Sequence, residues 1–521
     1  MKKVLLAIST FLVLLTFANA QNYKIEGYKI TTDGKFKLTT TKPYAIELNY
    51  PIDKKTIFTK EEFEAYITNY KQELENSRLF EEINVDYDVI EQTQTETPPY
   101  ETVLKVKLNI SLIDSNHFLM VPYPKFKSDK DKTQMTLKLK AKDSNFLGTM
   151  NPLATDLNIE VKNEDGNWNF KPGFNISYDY PFSAGLFDAT WINDYTINYN
   201  SDYKYPEWNA KTGLKFVLPF HYISFVLEGY HNFINNFDYE EYGDAMYSKE
   251  EFSFSTPIKL YEFKNFSYLV YTPSINYNFV WDFDDINIAN TSLTGPIISL
   301  SQSLSNSKIN WHDNFRKGYS LSLSNSWSYN FQRKDWSTSL SFEAKGFTSI
   351  KLEDRDYLDR VGIVTDLYAF TYFDLPGQYY NHDVSGYGNS IGGRLRGVPD
   401  DSYFGNKDSS TTSTGFVLNI DLPINIIKTS FNRDLFNFSM QFSPFLDVAI
   451  YRDRALPLQT DSKLCSGMEV LVYPYKWSSF IIRGSIGFDL KETLSEDTNI
   501  KGLVKGLWHN KEISIGLGLH Y

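Results

Sequence analysis

The chain has a single cysteine, Cys465, in 521 residues. That excludes an intramolecular disulfide framework and any multi-cysteine zinc site. Histidine is scarce too: seven scattered residues leave little material for a metal enzyme. Beyond the first twenty residues no run of about 18 apolar residues occurs, the length a spanning helix needs. The richest stretch, 216–230, is broken by Pro219, His221, Ser224, Glu228 and Gly229, so a helical membrane protein is excluded. Positive charge is in deficit, with 52 Lys and Arg against 64 Asp and Glu and a net charge of −12. This balance argues against a general nucleic-acid binder. Aromatics are abundant instead: 39 Phe, 37 Tyr and 9 Trp make up 16% of the chain, more than a small soluble core needs. Charged residues at 22% and hydrophobics at 42% are ordinary for a folded protein and exclude wholesale disorder.

The first twenty residues set the compartment. Lys2 and Lys3 precede an apolar run from Val4 to Phe17, which ends in Ala18-Asn19-Ala20 before Gln21. A positive start, a short apolar stretch and an A-x-A site read as a secretory signal peptide, residues 1–20. The alternative is an uncleaved anchor, for which the apolar run is shorter than the ~20 residues of a spanning helix. Cleavage removes Lys2 and Lys3 and takes the formal charge from −12 to −14.

The exported chain has two parts. Residues 21–115 hold the one convincing amphipathic helix. Thr59 can cap it, with Glu62 three residues on completing a capping box. Phe63, Tyr66, Ile67, Tyr70 and Leu74 follow at helical spacing. Two alternating segments, 83–89 and 103–110, then predict strands, with Pro98-Pro99 in the link between them. Together they make a small α+β unit.

From about residue 130 the helical period gives way to period two. Thr136–Ala141, Leu157–Val161, Tyr319–Ser324, Ser337–Phe342 and Ile513–Leu517 all alternate, with Asn, Asp, Gly and Ser between such segments. Segments long enough to cross a bilayer at a tilt, about 10 residues each, number roughly sixteen. A soluble β-sandwich or β-helix alternates as well. Aromatics near segment ends, a second face of Ser, Asn, Thr, Lys and Asp, and a last strand ending at Tyr521 favour a barrel in lipid. An open sheet edge there would leave backbone groups unpaired in hydrocarbon. The expected fold is therefore mainly β: a transmembrane antiparallel barrel of about sixteen strands over 116–521, after the small N-terminal domain.

Several motifs share a resemblance. The closing residues Ser514, Gly516, Leu519 and Tyr521 resemble the β-signal of outer-membrane barrels. Gly392-Gly393-Arg394-Leu395-Arg396-Gly397-Val398 lies in a long loop, about 374–412, which by strand count joins the eleventh and twelfth strands. It is similar to the Arg-Gly-aromatic loop motif of the BamA/TamA-type outer-membrane assembly family, the bacterial surface antigen superfamily. Val398 departs from the usual aromatic. Gly415–Pro423, ending in Asp421-Leu422-Pro423, resembles the strand after that loop. Phe445-Leu446-Asp447-Val448-Ala449 resembles the family's Phe-x-Asp-x-Gly strand, with Ala449 in place of Gly. Asp143–Thr149 resembles its first-strand Asn-Phe-Leu-Gly-Thr signature, and 21–115 looks like one POTRA domain. These motifs span nearly the whole exported chain, and the room for only one POTRA domain suits a shorter paralogue.

The resemblance implies that Arg396 meets Asp447 and pins the loop inside the barrel. The chemistry suits this: a planar guanidinium takes a carboxylate in a bidentate pair. Gly397 would allow the tight turn, and Phe445 shares the strand of Asp447. The plainer alternative makes Arg396 a solvated loop residue and Asp447 one lumen acid among many. The resemblance also implies insertion or translocation of other proteins at the bacterial outer membrane, with the POTRA-like domain in the periplasm. Expected partners are outer-membrane lipids, unfolded outer-membrane or secreted clients, and periplasmic proteins, with no nucleic acid and no cofactor.

Rival readings are a passive porin or surface barrel, and an outer-membrane lipid hydrolase. Gly388-Asn389-Ser390-Ile391-Gly392 matches the G-x-S-x-G pattern. That motif needs a strand–turn–helix elbow, which is missing around Ser390. His312 and His382 are loop candidates without a partner, so no enzyme is expected. Asp238-Tyr239-Glu240-Glu241 could take divalent cations or be a solvated loop, as Glu353–Asp356 reads. Cys465 reads as a small inert strand residue.

Overall fold

The computed structural model describes residues 21–35, 37–94, 102–128, 132–164, 167–199, 206–235, 246–281, 296–331, 334–352, 357–373, 391–398, 412–431, 437–453, 460–496, 506–507 and 511–519. The signal segment, Asp238–Glu241, Glu353–Asp356, His382, Ser390 and Tyr521 lie outside the described residues. The chain forms two compact units, one of residues up to Asn116 with Leu147–Met150, the other of His117–Phe146 and Asn151 onward.

The first unit contains β1 (Gln21–Asp33), α1 (Pro43–Asn49), β2 (Ile57–Thr59), α2 (Lys60–Ser77), β3 (Phe80–Gln94) and β4 (Thr102–Asp114). Its sheet order is β2-β1-β4-β3, with β1 parallel and β3 antiparallel to β4. The capping box is formed: Glu62 N–H donates to Thr59 Oγ1 at 3.3 Å, and Thr59 N–H donates to Glu62 Oε2 at 2.9 Å. The α2 face of Phe63, Tyr70 and Leu74 is buried over Ile25, Val106, Leu108, Ile110 and Leu112. Tyr23 stacks on Phe63 with ring centroids 4.7 Å apart. Sequence reading did not anticipate α1 or β1. Helix α1 has seven residues and buries only Ala45 and Ile46, too few to show a period; Pro43 in its first turn was the available signal. Strand β1 is defined by parallel pairing with the distant β4.

Thr59→Ala is expected to cost about 1 kcal/mol, the usual value of an N-cap. Urea unfolding of a fragment covering 21–116, followed by circular dichroism, measures it. The fragment itself should give a mixed α/β spectrum; an all-β or disordered one would refute an autonomous domain.

The second unit is a closed barrel. Its first strands are β5 (Phe118–Ser128), β6 (Lys132–Asp143), β7 (Leu153–Glu164), β8 (Asn167–Ala184), β9 (Phe187–Asn198), β10 (Glu207–Pro219) and β11 (Ser224–Asn235). There follow β12 (Met246–Ser255), β13 (Ile258–Glu262), β14 (Tyr268–Trp281), β15 (Ile297–His312), β16 (Phe315–Asn330), β17 (Asp335–Lys351) and β18 (Arg360–Phe373). The last are β19 (Thr412–Asp421), β20 (Ile424–Lys428), β21 (Phe438–Asp453), β22 (Thr460–Pro474), β23 (Ile482–Asp489) and β24 (Lys511–Leu517), which pairs with β5. A short helix α3 (Leu490–Glu496) follows β23.

Two pairs of these segments are single strands interrupted at a proline. β12 and β13 both pair with β14, on either side of Thr256-Pro257. β19 and β20 both lie between β18 and β21, on either side of Leu422-Pro423. Proline donates no ladder hydrogen bond, and at these two places the ladder is interrupted. Among the described residues the barrel thus has eighteen strand positions, two above the nominal sixteen. The long loop after β18 joins the thirteenth and fourteenth positions, not the eleventh and twelfth. Five positions follow it, as expected of a sixteen-stranded barrel, so the additional hairpin lies upstream of the loop.

Alternation sorts the two faces. Leu300, Leu304, Leu321, Leu323, Leu340 and Phe342 are exposed on the outer wall, the surface a bilayer requires. Inside, serines of β15 and β16 meet across the strands: Ser299 and Ser328 hydroxyls are 2.7 Å apart, Ser301 and Ser326 2.9 Å. The segment Phe146–Gly148 forms a short turn between β6 and β7 rather than part of a strand.

Candidate functional site

The described part of the long loop, Ile391–Val398, folds against the inner wall. Ile391, Leu395 and Val398 are buried with Phe370, Val417, Ala449, Tyr451 and Cys465. Val398 fills a place where the motif carries an aromatic, and the small side chains of Ala449 and Cys465 belong to the same cluster. Cys465 is fully buried on β22. This apolar packing sets the depth of the loop; the two arginines set its register.

Arg396 is 3% exposed, and Asp447 on β21 is fully buried. Three donors converge on Asp447: Arg396 N–H and Nε donate to Oδ2 at 3.0 Å each, and Nη2 donates to Oδ1 at 2.5 Å. Nη1 donates to Asp421 Oδ1 at 2.6 Å. The guanidinium lies 3.6 Å over the Phe445 ring. Alternation along β21 turns Phe445 and Asp447 inward and leaves Leu446 on the outer wall. Glu469 on β22 lies 3.4 Å from Arg396 Nη1 and 3.7 Å from Arg483 Nη1. Three inward carboxylates from β19, β21 and β22 thus surround one guanidinium, whose single charge offsets part of theirs.

Arg394 reaches the other way. Nη1 pairs with Glu343 Oε1 on β17 at 3.0 Å, and the guanidinium stacks 3.8 Å over the Tyr368 ring on β18. The Arg394 carbonyl accepts from Asn419 Nδ2 at 2.7 Å. One short turn therefore bridges strands on both sides of its own loop.

Gly397 adopts φ +99, and a Cβ there would lie 2.6 Å from Phe488 N. At Gly487 on β23 a Cβ would lie 2.8 Å from Gly397 N. The two glycines let the loop and strand backbones touch. Gly397 N–H donates to Glu512 Oε2 on β24 at 2.9 Å. On the same strand Ser514 is buried and Gly516 lies opposite Arg483. Leu519 packs beside Trp311, Leu471, Tyr473 and Ile481.

The structure thus brings Arg396, Gly397, Val398, Phe445 and Asp447 into one cluster, with Ser514, Gly516 and Leu519 on or just beyond the strand the loop touches. Sequence reading placed Arg394 and Asp421 in motifs without giving either a partner, and did not name Glu469 or Glu512. Asp421, Glu469 and Glu512 lie on strands, where alternation permits an inward position, but only cross-strand register singles them out. Among the described residues no group of three or more His, Cys, Asp or Glu side chains is arranged to hold a metal ion. His117 Nδ1 sits 2.6 Å from Asp143 Oδ1, a carboxylate–imidazole pair of the kind hydrolases use. The adjacent Ser144 hydroxyl instead donates to the His117 carbonyl at 3.2 Å and contacts the Ser479 hydroxyl at 2.7 Å. His312 is exposed at the end of β15.

The fold and site together define a large closed antiparallel β-barrel with a loop anchored to its inner wall. No protein-family model matches the sequence, and no curated protein does. Among solved structures, the chain is similar to CdiB from Acinetobacter baumannii at 12% identity, covering 96% of this chain and 73% of that one, with a TM-score of 0.45. CdiB from Escherichia coli aligns at 10% identity over 95% of this chain and 76% of that one, with a TM-score of 0.39. BamA from Haemophilus ducreyi lacking POTRA domains 1–3 aligns at 9% identity over 95% and 85%, with a TM-score of 0.36.

Proposed function

We propose that the chain is an outer-membrane barrel of the BamA/TamA assembly type, which assists insertion or translocation of other proteins. The observation that carries this reading is the Arg396 turn, buried against Asp447 and Asp421 and touching the strand that closes the barrel. A passive pore needs no such link between an inner loop and its closing strand. The closure is short as well: β24 meets β5 over Lys511–Ser514 and Lys125–Ser128 only. By contrast, β15 and β16 pair along their whole length, from Ile297↔Asn330 to His312↔Phe315. A weakly closed edge is the feature to which an incoming strand can add by backbone hydrogen bonding.

In this reading the barrel sits in the bacterial outer membrane, and its outer wall meets lipid. The N-terminal unit serves as a single POTRA-like domain in the periplasm, where it meets clients or partner proteins. The process uses no cofactor and no catalytic residue, because strand addition only exchanges hydrogen bonds. Depleting the chain and quantifying the outer-membrane proteome tests the function. Loss of a subset of barrels or secreted proteins is the expected result, and an unchanged proteome with altered solute uptake would establish the porin reading instead.

A further inference from the structure

Register places a polar row on the outer wall of β9 to β12, away from the β5–β24 closure. Asn193 lies opposite Thr212, Thr212 opposite His231, and His231 opposite Glu250. Directly opposed residues share a face, and residues two apart along a strand share it too. Trp191, Leu214, Leu227 and Phe252 have the parity of this row and are exposed, so the row looks outward. Those four lie on its short-turn side, and Tyr195, Ile197 and Phe233 lie on its loop side. The row therefore sits within the apolar and aromatic band of the wall, not at its rim. Ionisable side chains facing lipid are costly there, which makes such a pair a functional candidate by default.

Half of the row is self-contained. Trp191 Nε1–H donates to Thr212 Oγ1 at 3.0 Å, Thr212 donates to Asn193 Oδ1 at 3.1 Å, and the Tyr195 hydroxyl donates to the same oxygen at 3.1 Å. The other half is not. His231 Nδ1 is 2.7 Å from Glu250 Oε1, and Trp281 Nε1–H donates to that oxygen at 3.1 Å. Among the described residues neither Glu250 Oε2 nor His231 Nε2 has a hydrogen-bond partner, and the His231 side chain is 39% exposed. Hydrocarbon offers these atoms none. Beside the pair runs a groove of about 700 Å³, within the size range of ligand sites. Trp191, Leu214, Phe216, Leu227 and Phe252 line it, and Thr212, His231 and Glu250 form its polar end. Gly229, opposite both Leu214 and Phe252, puts no side chain on the wall and leaves the space open.

We infer that this groove holds one lipid with an ammonium headgroup, an amine-bearing glycerophospholipid such as phosphatidylethanolamine. Its ammonium meets Glu250 Oε2, its phosphate accepts from His231 Nε2–H, and an acyl chain lies over Gly229 between Leu214 and Phe252. Charge decides the class. Among the described residues that line the groove there is no Lys or Arg, so a purely anionic headgroup would meet Glu250 without a fixed countercharge. An imidazolium held between Glu250 and a phosphate donates from both ring nitrogens. The ammonium supplies N–H donors to the free carboxylate oxygen, which a quaternary choline lacks. A charged pair within the band draws a headgroup toward it by local thinning of the bilayer. The inference needs this wall to face lipid, and it does not depend on the assembly role.

The test uses the full chain in nanodiscs of equal parts phosphatidylethanolamine, phosphatidylglycerol and phosphatidylcholine. Native mass spectrometry after release counts the lipid each chain keeps. Phosphatidylethanolamine should be retained about ten-fold over either other lipid, the size of one charge-assisted hydrogen bond. Glu250→Gln keeps the shape and removes the charge, and it should erase that preference. Gly229→Leu fills the groove and should abolish retention with Glu250 intact. Gln302→Leu, another polar position of the outer wall, should change nothing. Heat-modifiability on gels checks that each variant is folded. Equal retention of the three lipids, or an undiminished preference in Glu250→Gln, overturns the inference. As a second arm, p-benzoylphenylalanine at Leu214 in native membranes should label phospholipid. Label on a protein and not on lipid would overturn the inference and assign the row to a membrane-protein contact. If lipid retention behaves as expected while depletion leaves the outer-membrane proteome unchanged, the assembly reading falls and the lipid site stands.

Discussion

Arg396→Ala is expected to destabilise the barrel by about 3–5 kcal/mol, the usual cost of leaving buried charge without its partner. The truncation strands Asp447, fully buried, and removes a donor from Asp421. Asp447→Ala should cost a similar amount, because Arg396 then loses three hydrogen bonds, two from its guanidinium and one from its backbone N–H. Arg396→Lys should recover little: an ammonium can contact one carboxylate but cannot span Asp421 and Asp447 while lying over Phe445. The double variant should fall well short of the sum of the single losses, since both remove the same interaction. Heat-modifiability on gels and urea unfolding in liposomes measure all four proteins. Strictly additive losses would mean that Arg396 and Asp447 act separately.

Gly397→Ala is expected to expel the turn from the lumen. The φ of +99 is one that side chains rarely adopt, and the new methyl would press on the backbone of Gly487 and Phe488. Backbone strain alone costs roughly 1–3 kcal/mol, and a contact with strand backbone cannot relax by a rotamer change. Gly487→Val approaches the same junction from the strand side, where φ imposes no strain, so it isolates the steric part. Both variants should also lose the Gly397 N–H bond to Glu512 and loosen β24. Limited proteolysis within 391–398 should rise for both. Unchanged protease resistance in Gly397→Ala would show that the close approach is not needed to hold the loop.

The two variants probe different supports of one turn. Arg396 holds it through charge, and Gly397 through the absence of a side chain. If the loop controls closure, loss of either should raise access at the seam, detected by faster labelling of Ser514→Cys. The effect should be stronger for Gly397→Ala, because that change removes the contact with β24 directly.

Much of the architecture could be read from the residues. Period two after residue 130 dictates strands, because only alternation gives each strand one apolar and one polar face. Thr59 with Glu62 dictates where α2 starts, since the capping groups are local. Arg396, Gly397 and Asp447 could be named from their motifs, and parity turned Asp447 inward. Other features depend on which strand lies beside which. Asp421 and Glu469 join Arg396 only because β19, β21 and β22 are neighbours in one register. The count of eighteen positions depends on whether chain continues in line across Pro257 and Pro423, which propensity does not decide. The sequence alone determined local periodicity, caps and the identity of the charged groups, all governed by interactions within a few residues. Register and the partner of each buried charge were decided by tertiary structure, because hydrogen bonds between strands are set by the closure of the whole sheet.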